Sequence, residues 1–318
     1  MEDKNRLSLF IVGLPRSGTK LLRELLNNHS KIFIPKIEAY FIPHLVEKYG
    51  SQLLTDKQVH EVIKEIQNSL FFFYYVQNHQ FNLQKFYTSN ISIQELLANI
   101  WQEMAINETD EKKEVLGDKT PRNVHKVRSL LDGFPGAKII HIIRDPRDNV
   151  LSSYNKWSKN IYRTAHKWQN GINDFNESLK YTGDQKIHEV KYEDLLTDTN
   201  SELKKICQFL GIDYEEGMNE LVLEVENKGG KVDSSNFNKF EDKLSEKKIK
   251  KLEEYCMDGL QQYSYRILFS DQPKSITPGQ LQLLRWKLYD AVNLMIYNVN
   301  EHGLARGFEK IKKARKHS

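Results

Sequence analysis

Cysteine is nearly absent. The 318-residue chain has two, Cys207 and Cys256, at no spacing that makes a metal site or a disulfide framework. Both fall in helix-like stretches and read as buried thiols. Long apolar runs are missing as well. No stretch reaches the ~18 apolar residues of a membrane-crossing helix, and no apolar leader segment precedes the first strand-like run. The expected location is therefore the cytoplasm. Charge of one sign is also scarce: the formal net charge is +4, too small to imply a nucleic-acid partner. More than the whole of that excess sits in Leu304–Ser318, which carries six basic residues and one Glu; the rest of the chain is slightly acidic. There is no internal repeat. At 39% hydrophobic residues the chain can still bury a sizeable core. Its length suits one large domain or two modest ones; the expected layout is one main domain over residues 1–270, with a mainly helical insertion at 44–114. A helical extension with a basic tail follows over 271–318.

Ser8 to Asn28 organises the chain. Leu9-Phe10-Ile11-Val12 is a buried-strand pattern, and Gly13 to Thr19 (GLPRSGT) is a turn. Lys20 onward has Leu21, Leu22, Leu25 and Leu26 at helical spacing. A strand, a glycine-bearing turn and a helix N-terminus form an anion site, because backbone N–H groups and the positive end of the helix dipole converge there. The Walker A pattern needs Lys after its second glycine. Here Thr19 follows Gly18 and Lys20 comes one place late, so Arg16 is the cation best placed to reach the anion.

Three further strand ends carry charge. After Lys31–Pro35 comes Glu38, a candidate general base at the edge where open α/β sheets bind ligands. By itself it reads more readily as a solvated loop carboxylate or a first-turn helix Glu. Gly117-Asp118-Lys119-Thr120-Pro121 places Lys119 before a helix whose expected N-cap is Thr120. Ala137–Ile143 is the clearest buried parallel strand, and it runs directly into Arg144-Asp145-Pro146-Arg147-Asp148, with Ser152 eight residues past Arg144. A Walker B strand ends in an acid for Mg²⁺; this one ends in Arg, which suits an anion. Lys186–Glu193 is another strand, and Asn227–Phe240, with Gly229-Gly230, reads as a loop or a flap over an anion. A last long helix starts near Pro278, with Leu281, Leu284, Leu288, Val292, Met295 and Val299 on one face, expected to dock on the body or to contact a second copy.

In this combination and order, Pro15-Arg16-Ser17-Gly18-Thr19, Gly117–Pro121 and Arg144–Asp148 with Ser152 resemble the sulfotransferases that use 3′-phosphoadenosine-5′-phosphosulfate (PAPS). The bacterial-type branch, whose loop is similar to that of the tyrosylprotein sulfotransferases, is the nearest. The resemblance covers about residues 7–265. It implies an α/β fold in which a parallel sheet is flanked by helices, related to the P-loop nucleoside triphosphate hydrolases and carrying a helical insertion. It implies that Gly13, Pro15, Arg16, Ser17, Gly18, Thr19 and Lys20 hold the 5′-phosphosulfate. Arg144 and Ser152 would bind the 3′-phosphate, with Lys156, Tyr192 and Lys239 as further cofactor contacts. Glu38, Lys119 and Arg16 would be catalytic.

The residue chemistry agrees. Sulfonyl transfer to a hydroxyl is an in-line displacement close to phosphoryl transfer, so positioning and electrostatic stabilisation carry it. The sulfonyl group bears less charge than a γ-phosphoryl group, and no metal is required. The expected partner is a hydroxyl-bearing acceptor: a sugar, lipid, phenol, peptide or metabolite. The alternatives are a Mg²⁺-dependent P-loop small-molecule kinase, which needs Lys at position 19, and a non-catalytic nucleotide-binding protein.

Overall fold

The computed structural model describes residues 7–182, 184–220 and 234–315. Residues 227–233 of the expected flap and 316–318 of the basic tail lie outside the described residues. The strands are β1 (Leu7–Gly13), β2 (Ile32–Phe33), β3 (Leu53–Leu54), β4 (Ile91–Ser92), β5 (Val115–Lys119), β6 (Lys138–Ile143) and β7 (Ile187–Lys191). Five of them form one sheet in the order β2-β5-β1-β6-β7, every neighbouring pair parallel.

Both faces of that sheet are covered, and alternation along the strands decides which residue goes to which layer. Phe10, Val12, Ile139 and Ile143 join one core with Trp101, Leu130, Trp168 and Phe175. Leu9, Ile11, Ile140 and Ile142 join the other with Leu22, Leu25, Leu26, Leu203 and Ile206. Full burial of each such side chain contributes roughly 1.5–3 kcal/mol. Because all five strands run the same way, the segments after β1, β2, β5, β6 and β7 emerge on one edge, the edge that binds ligands in open α/β sheets.

The segment from 44 to 114 is mainly helical. Its helices Asp56–Asn68 and Ile93–Thr109 open with capping boxes, Thr55 with Gln58 and Ser92 with Glu95. A short antiparallel pair, β3 with β4, joins them. In the aromatic run 70–75, Phe71 stacks on Trp101 at 5.1 Å and meets Phe41 edge-on at 5.5 Å, so it is core.

The final helix, Gln280–Arg315, docks by the face opposite to the one its leucines predict. Trp286 sits between Tyr162 and Tyr255. Asp290 accepts a hydrogen bond from the Asn160 backbone N–H at 2.7 Å and pairs with Arg163. Asn293 donates to the Ser158 carbonyl at 3.1 Å. Aromatic and polar contacts thus take the inner face, and Leu281, Leu284, Leu288, Val292 and Met295 are exposed.

Candidate active site

The loop after β1 is set by backbone conformation. Gly18 adopts φ 96°, and a Cβ there would stand 2.3 Å from the Tyr192 ring, so only glycine fits. Arg16 also lies in the left-handed region, with φ 75°. The Ser17 N–H closes the turn on the Leu14 carbonyl at 3.1 Å, and helix Thr19–Asn27 begins directly after Gly18. The first N–H groups of a helix have no carbonyl within it to take them, which suits an anion. Asn149 fastens the loop from the side, donating to the Pro15 carbonyl at 2.9 Å and to Ser17 Oγ at 3.1 Å. Thr19 is buried, and Lys20 is exposed one residue into the helix.

Arg16 and Arg144 meet beside this loop. Arg16 donates from Nε to Ser152 Oγ at 2.9 Å, and its guanidinium lies 5.6 Å over Trp157. Arg144, at the tip of β6, donates to the Arg16 carbonyl at 3.3 Å and to the Asn236 carbonyl at 2.9 Å. Its guanidinium stacks 4.4 Å over Tyr192, whose hydroxyl accepts from Asn236 Nδ2 at 2.9 Å. Arg144 is only 6% exposed, yet its Nε is buried with no hydrogen-bond partner and it makes no ion pair among the described residues. A buried guanidinium without a carboxylate is costly. A phosphate group would answer both its charge and its fork of donors.

Asp148 lies close enough for Arg144's charge to act on it, but its oxygens accept from the backbone N–H groups of Asn238 and Phe240. Burial pushes its carboxyl above the ordinary range. That pairing seats residues 236–240 beside Arg144. Lys239 is exposed at the edge of this seat, and Lys156 turns to the final helix, 3.4 Å from Glu301 and 5.2 Å over Tyr297.

The second half of the site follows β2 and β5. Lys119 lies opposite Ile11 in register, at the end of a strand buried along its whole length. Its Nζ donates to Glu38 Oε1 at 2.8 Å, and the Tyr40 hydroxyl donates to Oε2. Burial, then the Glu38 charge, pushes the Tyr40 phenol well up. The backbone beside Glu38 is fixed by the Ala39 N–H, which donates to Thr120 Oγ1 at 2.9 Å and to Asp118 Oδ1 at 3.3 Å. Thr120 therefore makes no side-chain cap for the segment after it, contrary to its sequence pattern. Its hydroxyl is spent on positioning the turn that carries Glu38. Complete burial raises the Asp118 carboxyl to about 7.

With this geometry in view, comparison with known proteins is decisive. The model of the Sulfotransferase family matches residues 8–216, about two thirds of the chain. The chain belongs to the Sulfotransferase family. Over 222 residues it is 25% identical to a protein-tyrosine sulfotransferase of Drosophila melanogaster, covering 66% of this chain and 39% of that one. Over 113 residues it is 31% identical to the omega-hydroxy-beta-dihydromenaquinone-9 sulfotransferase Stf3 of Mycobacterium bovis, covering 30% and 29% respectively. The chain spans between about a quarter and a half of the length of the first curated relatives it matches. The solved sulfotransferase domain from the curacin biosynthetic pathway superposes with a TM-score of 0.51 at 20% identity, covering 83% of this chain and 100% of that one. The sulfotransferase fold expected from the sequence is thus the fold present.

Of the residues expected at the site, the structure brings Arg16, Arg144, Ser152 and Tyr192 together beside the glycine turn, and Glu38 together with Lys119. Four contributors carry no role in the sequence reading: Tyr40, Asp118, Asn149 and Asn236. Asn149 and Asp118 stand inside the motifs themselves, so a polar residue flanking a motif arginine or lysine was the available signal. Asn236 acts through its backbone carbonyl on Arg144, which no residue pattern reports.

Proposed function

We propose that this chain transfers the sulfonyl group of PAPS to a hydroxyl of its acceptor. The observation that carries the reading is Arg144: a buried guanidinium with no carboxylate hydrogen bond or ion pair among the described residues, stacked on Tyr192 beside the glycine turn. The loop from Gly13 to Lys20 holds the 5′-phosphosulfate, while Arg144 takes the 3′-phosphate, with Lys156 and Lys239 as outlying cations. Glu38 removes the acceptor's proton as its oxygen attacks sulfur. The bond from sulfur to the phosphate oxygen breaks, and adenosine 3′,5′-bisphosphate (PAP) departs with the electron pair. Lys119 and Arg16 neutralise the charge that develops on the bridging and equatorial oxygens. The Lys119–Glu38 pair holds base and cation at one point, so both groups serve the same reacting centre.

Residues 1–270 form the transferring domain in this reading. The acceptor is a sugar, lipid, phenol, peptide or metabolite. The two cysteines, both free and buried, fit the reducing cytoplasm. The final helix makes a homodimer. Eight large apolar side chains between Leu281 and Ile296 are 39–63% exposed. Together they present on the order of 700 Å², near the ~800 Å² per partner of a stable interface. The deciding experiment measures PAP and ATP binding, each with and without Mg²⁺, followed by transfer from labelled PAPS to an acceptor panel. PAP binding without Mg²⁺ supports the reading; ATP binding that requires Mg²⁺, with no PAP binding, overturns it.

A further inference from the structure

A second group of unbalanced cations lies on the acceptor side. Arg122 follows Lys119 by three residues, and its charge reaches the Tyr40 hydroxyl that is bonded to Glu38. Arg163 and Lys167 stand one turn apart on helix Ile161–Thr182, and that helix packs on the segment carrying Arg122. Lys159 lies 4.1 Å over Trp157, the same indole that Arg16 covers from 5.6 Å. The charges of Arg122, Arg163 and Arg16 all act on Lys159, and those of Arg163, Lys159 and Arg122 act on Lys167. One carboxylate acts on both lysines. It is Asp290, and it is already held by Arg163 and the Asn160 N–H. Arg122, Lys159 and Lys167 have no hydrogen-bond or ion-pair partner among the described residues.

Structural basic clusters carry their own acids. Arg147, between Asp145 and Glu253, shows how this chain neutralises a cation it only needs for folding. The acceptor-side cluster has only Asp290 acting on its two lysines, and burial, reinforced by neighbouring positive charge, outweighs it and draws Lys159 and Lys167 down to about 8. Lys167 and Arg122 are nonetheless exposed, so a solute can reach them.

We propose that the acceptor bears an oxyanion of its own, a phosphate or sulfate ester, and that Arg122, Lys159 and Lys167 bind it while Glu38 faces the hydroxyl. This rests on the sulfotransferase reading and deepens it to a substrate class: an alcohol that already carries a tetrahedral anion. Three unpaired cations suit two or more negative charges better than one carboxylate does.

The test uses protein saturated with PAP, so that the cofactor side is filled. Methyl phosphate and methyl sulfate are titrated by calorimetry into wild type, Arg122→Gln/Lys167→Gln and the charge-keeping Arg122→Lys/Lys167→Arg. One saturable site is expected in wild type, weakened at least ~10-fold in the glutamine variant and restored in the charge-keeping one, with PAP affinity retained in all three. The stronger of the two probes names the ester. Methyl sulfate affinity should also fall as pH rises through about 8, where Lys159 and Lys167 lose their protons. A missing second site, or equal affinity in the glutamine variant, overturns the proposal. Absent PAP binding strikes the underlying reading instead, and the same variants titrated without PAP still report on the cluster.

Discussion

Two arginines three residues apart at the end of β6 have opposite fates. Arg144 and Arg147 are both buried, and each lies over an aromatic ring, Tyr192 at 4.4 Å and Phe240 at 4.1 Å. Arg147 is fully paired. It donates to both oxygens of Asp145, at 3.0 and 2.6 Å, and to Glu253 at 2.7 Å. Glu253 in turn accepts from the backbone N–H groups of Leu268, Phe269 and Ser270. That network ties the start of helix Pro146–Trp157 to the segment after helix Glu246–Gln262. Among the described residues, Arg144 donates only to carbonyls and keeps one buried N–H without a partner. Burial and residue type are the same in both places, so the acids are the difference. A buried cation with its acids is architecture, and a buried cation without them is a binding site.

The largest expected effect breaks the architectural side. Arg147→Ala leaves Asp145 and Glu253 buried without their cation and should destabilise the protein by ~3–5 kcal/mol. Chemical denaturation measures it; a loss below ~1 kcal/mol would mean that the network is not structural. Next comes the reacting pair. Glu38→Gln should cut turnover ~10²-fold or more while leaving PAP affinity and the melting temperature near wild type. Near-normal turnover would place the base elsewhere.

Asp118 extends the rule to an acid, and the sign follows from linkage. Its folded carboxyl is raised to about 7, so the folded state holds a proton that the unfolded state releases. The penalty is full above about pH 7 and disappears as pH falls towards 4. Asp118→Asn should therefore gain on the order of 1–3 kcal/mol at pH 8 and nothing near pH 4, by denaturation at the two values. A gain independent of pH would refute the buried charge. The smallest effect concerns the outer helix. Leu288→Glu, at an exposed position, should leave stability within ~0.5 kcal/mol of wild type. In sedimentation it should shift the protein to monomer; a wild type that is monomeric at every concentration contradicts the dimer.

Much of this was legible in the sequence where local chemistry decides. The GLPRSGT turn and the apolar β6 run into Arg144 form as their patterns dictate. Illegible features depend on what distant segments bring. Arg144 and Arg147 look alike in RDPRD, because Glu253 stands 106 residues further on. Thr120 has the pattern of a cap, but the Ala39 N–H, 81 residues away, claims its hydroxyl. The last helix has an apolar face that periodicity assigns to docking, and Asp290, Asn293 and Trp286 dock the other one.

The central claim is that Arg144 exists for a phosphate the protein must bind. The direct measurement is the affinity of PAP and of AMP, which lacks the 3′-phosphate, for wild type and Arg144→Ala. PAP should lose ~10–100-fold and AMP no more than ~2–3-fold. Equal losses for the two nucleotides, or none for PAP, would contradict it.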